Sequence, residues 1–441
     1  MNSKGRIDGI DMAGLANPVA EMDLEFETSH PGIDDLIKGA RRRLPKFAFE
    51  YLDGGCNEDV NLFRNTEDIR EIELIPQYLT KHTGSNMETE LFGHTYSAPF
   101  GIAPVGLQGL MWPKAPEILA KAAHEHNIPF ILSTVTTASI ETIADITGGN
   151  FWFQLYHPAE ERVRDDIIKR AEKAGCPTLV ILCDVPIFGF RPRDIRNGLA
   201  MPPKWTLENI WQGCIHPNWS IRTVLNGLPN FETLKPYMPG NLDLKRLGQF
   251  MDRTFSGRLN EERIKPIRDM WPGNLVIKGV ACEEDTEKAI RLGLDGVIVS
   301  NHGGRQLDAG ESSIKPLTRI AEKYGDKIKV MMDSGIRSGP DIARTLARGA
   351  QFTFLGRTFM YGVGALGAKG GQHTIAILKR QLQQVMEQIC CERVEDFPNH
   401  LPGAKPVESA TSRLIRPKRK VAPKKKAARK KQAKKKAGRR R

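Results

Sequence analysis

The sequence predicts an α/β fold of the (β/α)8 (TIM) barrel class, with a long insertion after the fourth strand and a disordered, basic C-terminal tail. Three observations predict it. Eight short apolar runs alternate with helical periodicities over about 290 residues from Ala98 onward, the rhythm of a sheet wound with helices. Almost every run ends in a polar or ionisable residue, and barrels gather their chemistry at that end of the strands. The length, 441 residues, accommodates one barrel with extensions.

Residues 1–30 read as a flexible leader. Residues 33–55 read as one helix, with Leu36, Ala40, Leu44, Phe47 and Tyr51 at apolar spacing and Gly54-Gly55 as its stop. Strands are expected at 100–104, 130–133, 151–156, 178–183, 274–279, 293–300, 328–333 and 352–356. Helices are expected at 116–126, 161–174, 260–269, 283–292, 314–324, 339–348 and 365–388. The barrel domain therefore spans 31–402, and 403–441 is tail. One gap breaks the rhythm: about 90 residues separate Cys183 from Asn274, far more than one loop and helix need. The insertion proper, about 199–258, holds Trp205, Trp211 and Trp219 and reads as a lid or an interaction surface.

Charge separates the tail from the barrel. The chain carries +13, yet residues 413–441 contain 17 Lys and Arg and no acid; without them the net charge is −4. A Lys/Ala/Arg tract buries no core and is expected to be disordered. It suits weak contact with nucleic acid or with an anionic membrane. The seven cysteines are odd in number and show no C-x-x-C spacing, which argues against a disulfide framework or a metal site. With no apolar leader or membrane-length run, a cytoplasmic protein is expected, or one peripheral to the inner face of a membrane.

The strand ends carry the chemistry. The sixth strand runs into Ser300-Asn301-His302-Gly303-Gly304-Arg305. A histidine moves protons near neutral pH, and an arginine holds a carboxylate in a fixed plane. The fourth strand ends at Asp184, with Arg191 beyond it, and the fifth at Lys278. The seventh and eighth end in Asp333-Ser334-Gly335-Ile336-Arg337 and Gly356-Arg357. Glycines and arginines after those two strands are a common barrel device for phosphate. Of ten histidines only His302 is singled out; His124, His126 and His157 read as surface residues.

Over residues 33–401 the chain resembles the FMN-dependent α-hydroxy-acid oxidases and dehydrogenases. The resemblance rests on Ser-Asn-His-Gly-Gly-Arg-Gln-Leu-Asp at 300–308, Phe-Gln-Leu-Tyr at 153–156, Ile-Lys-Gly-Val at 277–280, Asp-Ser-Gly-Ile-Arg at 333–337 and Leu-Gly-Arg at 355–357. It implies His302 as catalytic base and Asp184 as the carboxylate stabilising its protonated form. It implies Arg305 and Arg191 on the substrate carboxylate, with Tyr51 and Tyr156 assisting. It places FMN against Ala103, Pro104, Val105, Ser133, Gln154, Lys278 and Ser300. The phosphate end falls to Asp333, Ser334, Gly335, Ile336, Arg337, Gly356 and Arg357.

The implied reaction is oxidation of a lactate-like L-2-hydroxy acid, with electrons passing to oxygen or a quinone, in a homo-oligomer, commonly a tetramer. Two alternatives stand beside it: oxidative decarboxylation of the lactate 2-monooxygenase type, and a retired barrel scaffold with a nucleic-acid-binding tail. Two departures from the family pattern concern the flavin. Leu182 stands where many members have Thr, and Gly106 stands where many oxidases have Ala.

Overall fold

The computed structural model describes residues 24–199, 204, 206–238 and 258–404. Most of the expected leader, Trp205, the middle of the insertion and the tail beyond residue 404 lie outside the described residues.

Eight parallel strands form the barrel: β1 (Phe100–Ile102), β2 (Ile131–Ser133), β3 (Trp152–Leu155), β4 (Thr178–Leu182), β5 (Asn274–Val280), β6 (Gly296–Val299), β7 (Lys329–Met332) and β8 (Phe352–Leu355). They hydrogen-bond in the order β1-β8-β7-β6-β5-β4-β3-β2. A single parallel bridge between Ile102 and Phe130 completes the circle.

Strand periodicity explains what fills the barrel. Ile131, Trp152, Val180, Val276, Ile298 and Met331, one from each of β2–β7, pack with Phe352 and Phe354 into an apolar plug. Side chains two positions apart on a strand share a face. The next inward layer is therefore Ser133, Gln154, Leu182, Lys278, Ser300 and Asp333. One register thus delivers a dry plug and, one step toward the C-terminal rim, a polar floor. Below the plug a hairpin (Thr89–Leu91 with His94–Tyr96) closes the barrel's lower end. Tyr96 Oη accepts a 3.2 Å bond from the Trp152 indole there.

Fourteen helices of eight or more residues surround this core among the described residues. Three precede the barrel: α1 (Ile33–Arg43), α2 (Lys46–Asp53) and α3 (Val60–Arg70). The helix expected over 33–55 is in fact α1 and α2, separated at Leu44-Pro45. Proline disfavours helical backbone in the residue before it, and Leu44 is extended (ψ 144°).

Around the first strands lie α4 (Ala115–Glu125), α5 (Ile140–Thr147) and α6 (Glu161–Lys173). The insertion contributes α7 (Leu207–Ile215) and α8 (Pro217–Asn226). The second half adds α9 (Glu261–Met270), α10 (Glu283–Arg291), α11 (Ile314–Tyr324), α12 (Gly339–Ala347), α13 (Arg357–Leu366) and α14 (Gly370–Ile389). The helix expected at 365–388 is divided: Gly367 in the left-handed region (φ 63°) ends α13, and α14 begins at Gly370.

The insertion is anchored through one tryptophan. Trp219 is buried, its indole donates to the Met111 carbonyl at 3.0 Å, and its ring meets Phe47 edge-on. The remaining apolar side chains of α7 and α8 point away from the barrel. Leu207, Ile210, Trp211 and Ile215 form one exposed stripe; Ile221, Val224, Leu225 and the following Leu228 form another. Both stripes have helical spacing, so these helices are amphipathic with no described partner on the apolar side.

Candidate active site

The loops after β4 and β6 meet above the polar floor. His302 sits in the left-handed region (φ 59°), and its backbone N–H donates to Ser300 Oγ at 3.0 Å. That backbone turn aims the imidazole across the barrel mouth. Its Nδ1 lies 3.2 Å from Asp184 Oδ1. Burial pushes the His302 pKa down, against the opposing pull of Asp184, so the free imidazole is neutral near pH 7. For Asp184 burial favours the protonated form, but His302 and Lys278 outweigh it and hold the carboxyl below its usual range. The contact therefore pairs a carboxylate with an Nδ1–H, leaving Nε2 as the acceptor.

Gly279 makes room for this pair. It has φ 103°, and a Cβ there would lie 2.6 Å from Asp184 Cβ. Only glycine tolerates both the conformation and the approach.

Two guanidinium groups stand opposite. Arg305 Nη1 donates to the carbonyls of Tyr51 (2.8 Å) and Gly54 (2.7 Å), and its Cζ sits 5.1 Å from the Tyr51 ring centroid. Burial and the nearby Arg191 push the Arg305 pKa down to about 10, which leaves it charged at neutral pH. Arg191 reaches Gln306 Oε1 at 3.2 Å and Asp194 Oδ2 at 3.7 Å. Burial, followed by Asp184, pushes the Tyr156 hydroxyl pKa up, so it stays protonated and able to donate.

The floor is held by ion pairing. Lys278 Nζ donates to Ser300 Oγ at 2.8 Å and pairs with Asp333 Oδ2 at 3.0 Å. Burial opposes its charge, but Asp333 and Asp184 raise its pKa overall. Ser334 Oγ donates to Asp333 Oδ1 and accepts from the Gly303 N–H, both at 2.9 Å. The β7 loop is thereby tied to the histidine loop.

Tyr51, Ala103, Pro104, Val105, Tyr156, Arg191, Lys278, His302, Arg305, Gly356 and Arg357, with the whole 333–337 loop, line one cleft of about 940 Å³ including its open mouth. Ser133, Gln154, Ser300 and Asp184 do not line it; Ser300 is bonded to the lining Lys278 and Asp184 to the lining His302. Gln154 is buried, and its Nε2 finds no acceptor. A buried amide donor without a protein acceptor, above an apolar plug and in the same layer as Lys278, fits a flat ligand rich in ring acceptors. These residues therefore fit the expected FMN.

Arg357 behaves differently from the expectation of a free phosphate contact. Its guanidinium donates to three backbone carbonyls, Leu52 (2.8 Å), Gly303 (2.9 Å) and Gly54 (2.8 Å). It staples the end of α2 to the histidine loop. Arg337, half-buried at the cleft, donates from Nη1 only to its neighbouring Ile336 carbonyl, so most of its guanidinium has no protein acceptor among the described bonds. His157 also departs from the surface reading. Both ring nitrogens are buried and unpartnered, and burial, with Arg263 and Arg164 adding to it, lowers its pKa to about 4.

Some functional neighbours were invisible in the sequence. Asn65 of α3 pairs head to tail with Asn301, donating at 2.9 Å and accepting at 2.6 Å. Asp308 accepts from the Asn61 N–H at 2.8 Å near the start of α3. Val135, Met111 and Phe188 add apolar lining to the cleft, Val135 directly against Gly106. Only the motif positions of Asn301 and Asp308 signalled any of these contacts.

Comparison with known proteins agrees with this geometry. The profile of the FMN-dependent dehydrogenase family matches residues 40–402. (S)-Mandelate dehydrogenase of Pseudomonas putida is 35% identical over 370 residues, covering 84% of this chain and 93% of that protein. L-Lactate dehydrogenase of Vibrio parahaemolyticus is 36% identical over 364 residues, covering 82% and 96%. Among solved structures, one described as the monotopic membrane protein (S)-mandelate dehydrogenase superposes with a TM-score of 0.80 at 34% identity, covering 84% of this chain and 98% of that one.

Proposed function

The chain belongs to the FMN-dependent dehydrogenase family, and from that membership we propose that it oxidises an L-2-hydroxy acid with an apolar side chain to the 2-oxo acid. The observation that carries this reading is the His302–Asp184 pair facing Arg191 and Arg305 across a single cleft. Oxidation of a hydroxy acid needs a clamp for the carboxylate, a base, and an electron acceptor. Arg191 and Arg305 serve as the clamp, and the protonated Tyr156 donates to a substrate oxygen. His302 Nε2 takes the proton, and the Asp184 carboxylate stabilises the imidazolium that results. FMN, when bound, supplies the two-electron acceptor. Gln154, Lys278 and Ser300 would hold its ring region, and the 333–337 loop its phosphate end.

The apolar wall of Met111, Val135 and Phe188, with no side chain at Gly106, supports a substrate group larger than a methyl. This favours mandelate-like over lactate-like acids. The outward stripes of α7 and α8 support peripheral attachment to a membrane, because each is an amphipathic face with nothing described against it. No helix among the described residues is long and apolar enough to cross one. A cationic tail adds attraction to anionic lipid, and a membrane-dissolved quinone is then the natural electron acceptor.

The test is anaerobic spectroscopy of the FMN-loaded protein. Bleaching of the flavin is expected with (S)-mandelate, and more slowly with L-lactate. His302→Ala should keep its flavin and bleach at least ~10³-fold more slowly. A flavin reduced by neither acid, or reduced at a near-normal rate by the variant, refutes the assignment.

A further inference from the structure

Gln306 has no role in binding FMN or in proton transfer, yet its carboxamide is saturated. Oε1 accepts from the Gly189 N–H and from Arg191 Nη2, both at 3.2 Å. Nε2 donates to the Ile187 carbonyl at 3.0 Å and the Asp184 carbonyl at 3.3 Å. A primary amide has two donor hydrogens and two acceptor lone pairs, and all four are used. Every partner lies on the β4 loop, while Gln306 itself is on the β6 loop, one residue after Arg305. The two loops are in close backbone contact here: a Cβ on Gly189 would fall 2.2 Å from the Arg305 carbonyl. The irregular stretch 184–191 has few ladder partners of its own, so this side chain satisfies backbone groups that secondary structure would satisfy elsewhere.

We propose that Gln306 is a positioning residue that aims Arg191 at the substrate carboxylate without spending its charge. The idea rests on the reading of Arg191 as part of the carboxylate clamp. Arg191 has one carboxylate neighbour, Asp194, at 3.7 Å, whereas the closer oxygen is the neutral amide at 3.2 Å. A neutral acceptor fixes the direction of the guanidinium and leaves its positive charge for the ligand. A carboxylate at the same place would put a negative charge against the guanidinium and compete with the substrate, besides losing the two bonds that Nε2 donates to the β4 loop.

That difference gives a ranking test on the FMN-loaded protein. Gln306→Glu is nearly isosteric; Gln306→Met keeps the length and removes the hydrogen bonds. If Gln306 only holds the β4 loop, both variants lose the two donor bonds to the Ile187 and Asp184 carbonyls, and KM, kcat and flavin content suffer together. If it positions a charge kept for the substrate, the Glu variant is the worse for carboxylate binding, with KM rising more than kcat falls. KM for the 2-hydroxy acid, and the Kd of the 2-oxo acid read from the flavin spectrum, should rise ~10-fold in Q306M and ~100-fold in Q306E. In both variants kcat should fall by a smaller factor than KM rises. Equal KM effects, a milder Q306E, or parallel losses of KM, kcat and flavin content overturn the proposal. Arg191→Met separates the two levels. If R191M leaves KM unchanged, the clamp reading itself fails; if R191M raises KM while Q306E does not, only the role of Gln306 fails.

Discussion

Replacing Asp184 by Asn tests the proposed mechanism most directly. The substitution preserves shape and removes one negative charge beside His302, whose Nδ1 is 3.2 Å from the carboxylate oxygen. With charge centres ~4 Å apart and an effective dielectric constant of ~20, a full imidazolium charge is stabilised by ~4 kcal/mol. Both side chains are largely shielded from solvent, at 19% and 11% exposure, so screening removes only part of this. The rate of flavin reduction should therefore fall by ~10²- to 10³-fold. Substrate affinity should change little, because the clamp arginines are untouched.

The pH dependence has a definite sign. Burial already places the His302 pKa below its ordinary 6.5, and Asp184 is the group that raises it. Removing the carboxylate lowers that pKa further, so the acid limb of the rate profile moves to lower pH. Stability follows the same logic for Asp184. Its folded pKa is depressed, so its contribution is present above the ordinary value of 3.8 and is lost as pH falls through the folded value. The variant lacks that acid loss. Single-turnover stopped-flow reduction across pH is the assay. A rate within threefold of wild type, or an acid limb moving upward, would refute the pairing of His302 with Asp184.

Two further outcomes follow from the geometry. Gly279→Ala must bear a left-handed φ and a Cβ driven against Asp184; it should lose ~2–4 kcal/mol of stability and reduce its flavin slowly, and a melting temperature and rate equal to wild type would contradict the close approach. Polar replacement of Leu207, Trp211, Val224 and Leu225 together should weaken sedimentation with phospholipid vesicles while turnover with a soluble acceptor persists. Unchanged vesicle binding would remove α7 and α8 from the membrane reading.

Much of the site was legible because it follows the strands. Lys278, Ser300 and Asp333 fall two residues beyond the plug residues Val276, Ile298 and Met331. A period of two, once the strands are recognised, fixes which side chains face inward. Helix α3 was not legible for a related reason. Its buried face includes Asn61 and Asn65, at 0% and 1% exposure, so the apolar periodicity that marks a helix is missing. Those amides are buried at no penalty only because the histidine loop returns to pair with them.

The amino-acid sequence by itself determined the barrel, the flavin-dependent chemistry, and the grouping of His302, Asp184, Arg191 and Arg305 at one rim. Strand period, chain length and a dense motif are local properties, and local properties survive in one dimension. The tertiary structure decided what each group is free to do. Arg357 and Arg337 are both arginines after a strand that line the cleft; one also staples three backbone carbonyls, and the other donates only to its neighbouring carbonyl among the described bonds. Gln306 and Asn65 gained their roles from partners more than 110 and 230 residues away. Hydrogen-bond saturation depends on which distant carbonyls and amides arrive beside a side chain, and only the folded chain brings them there.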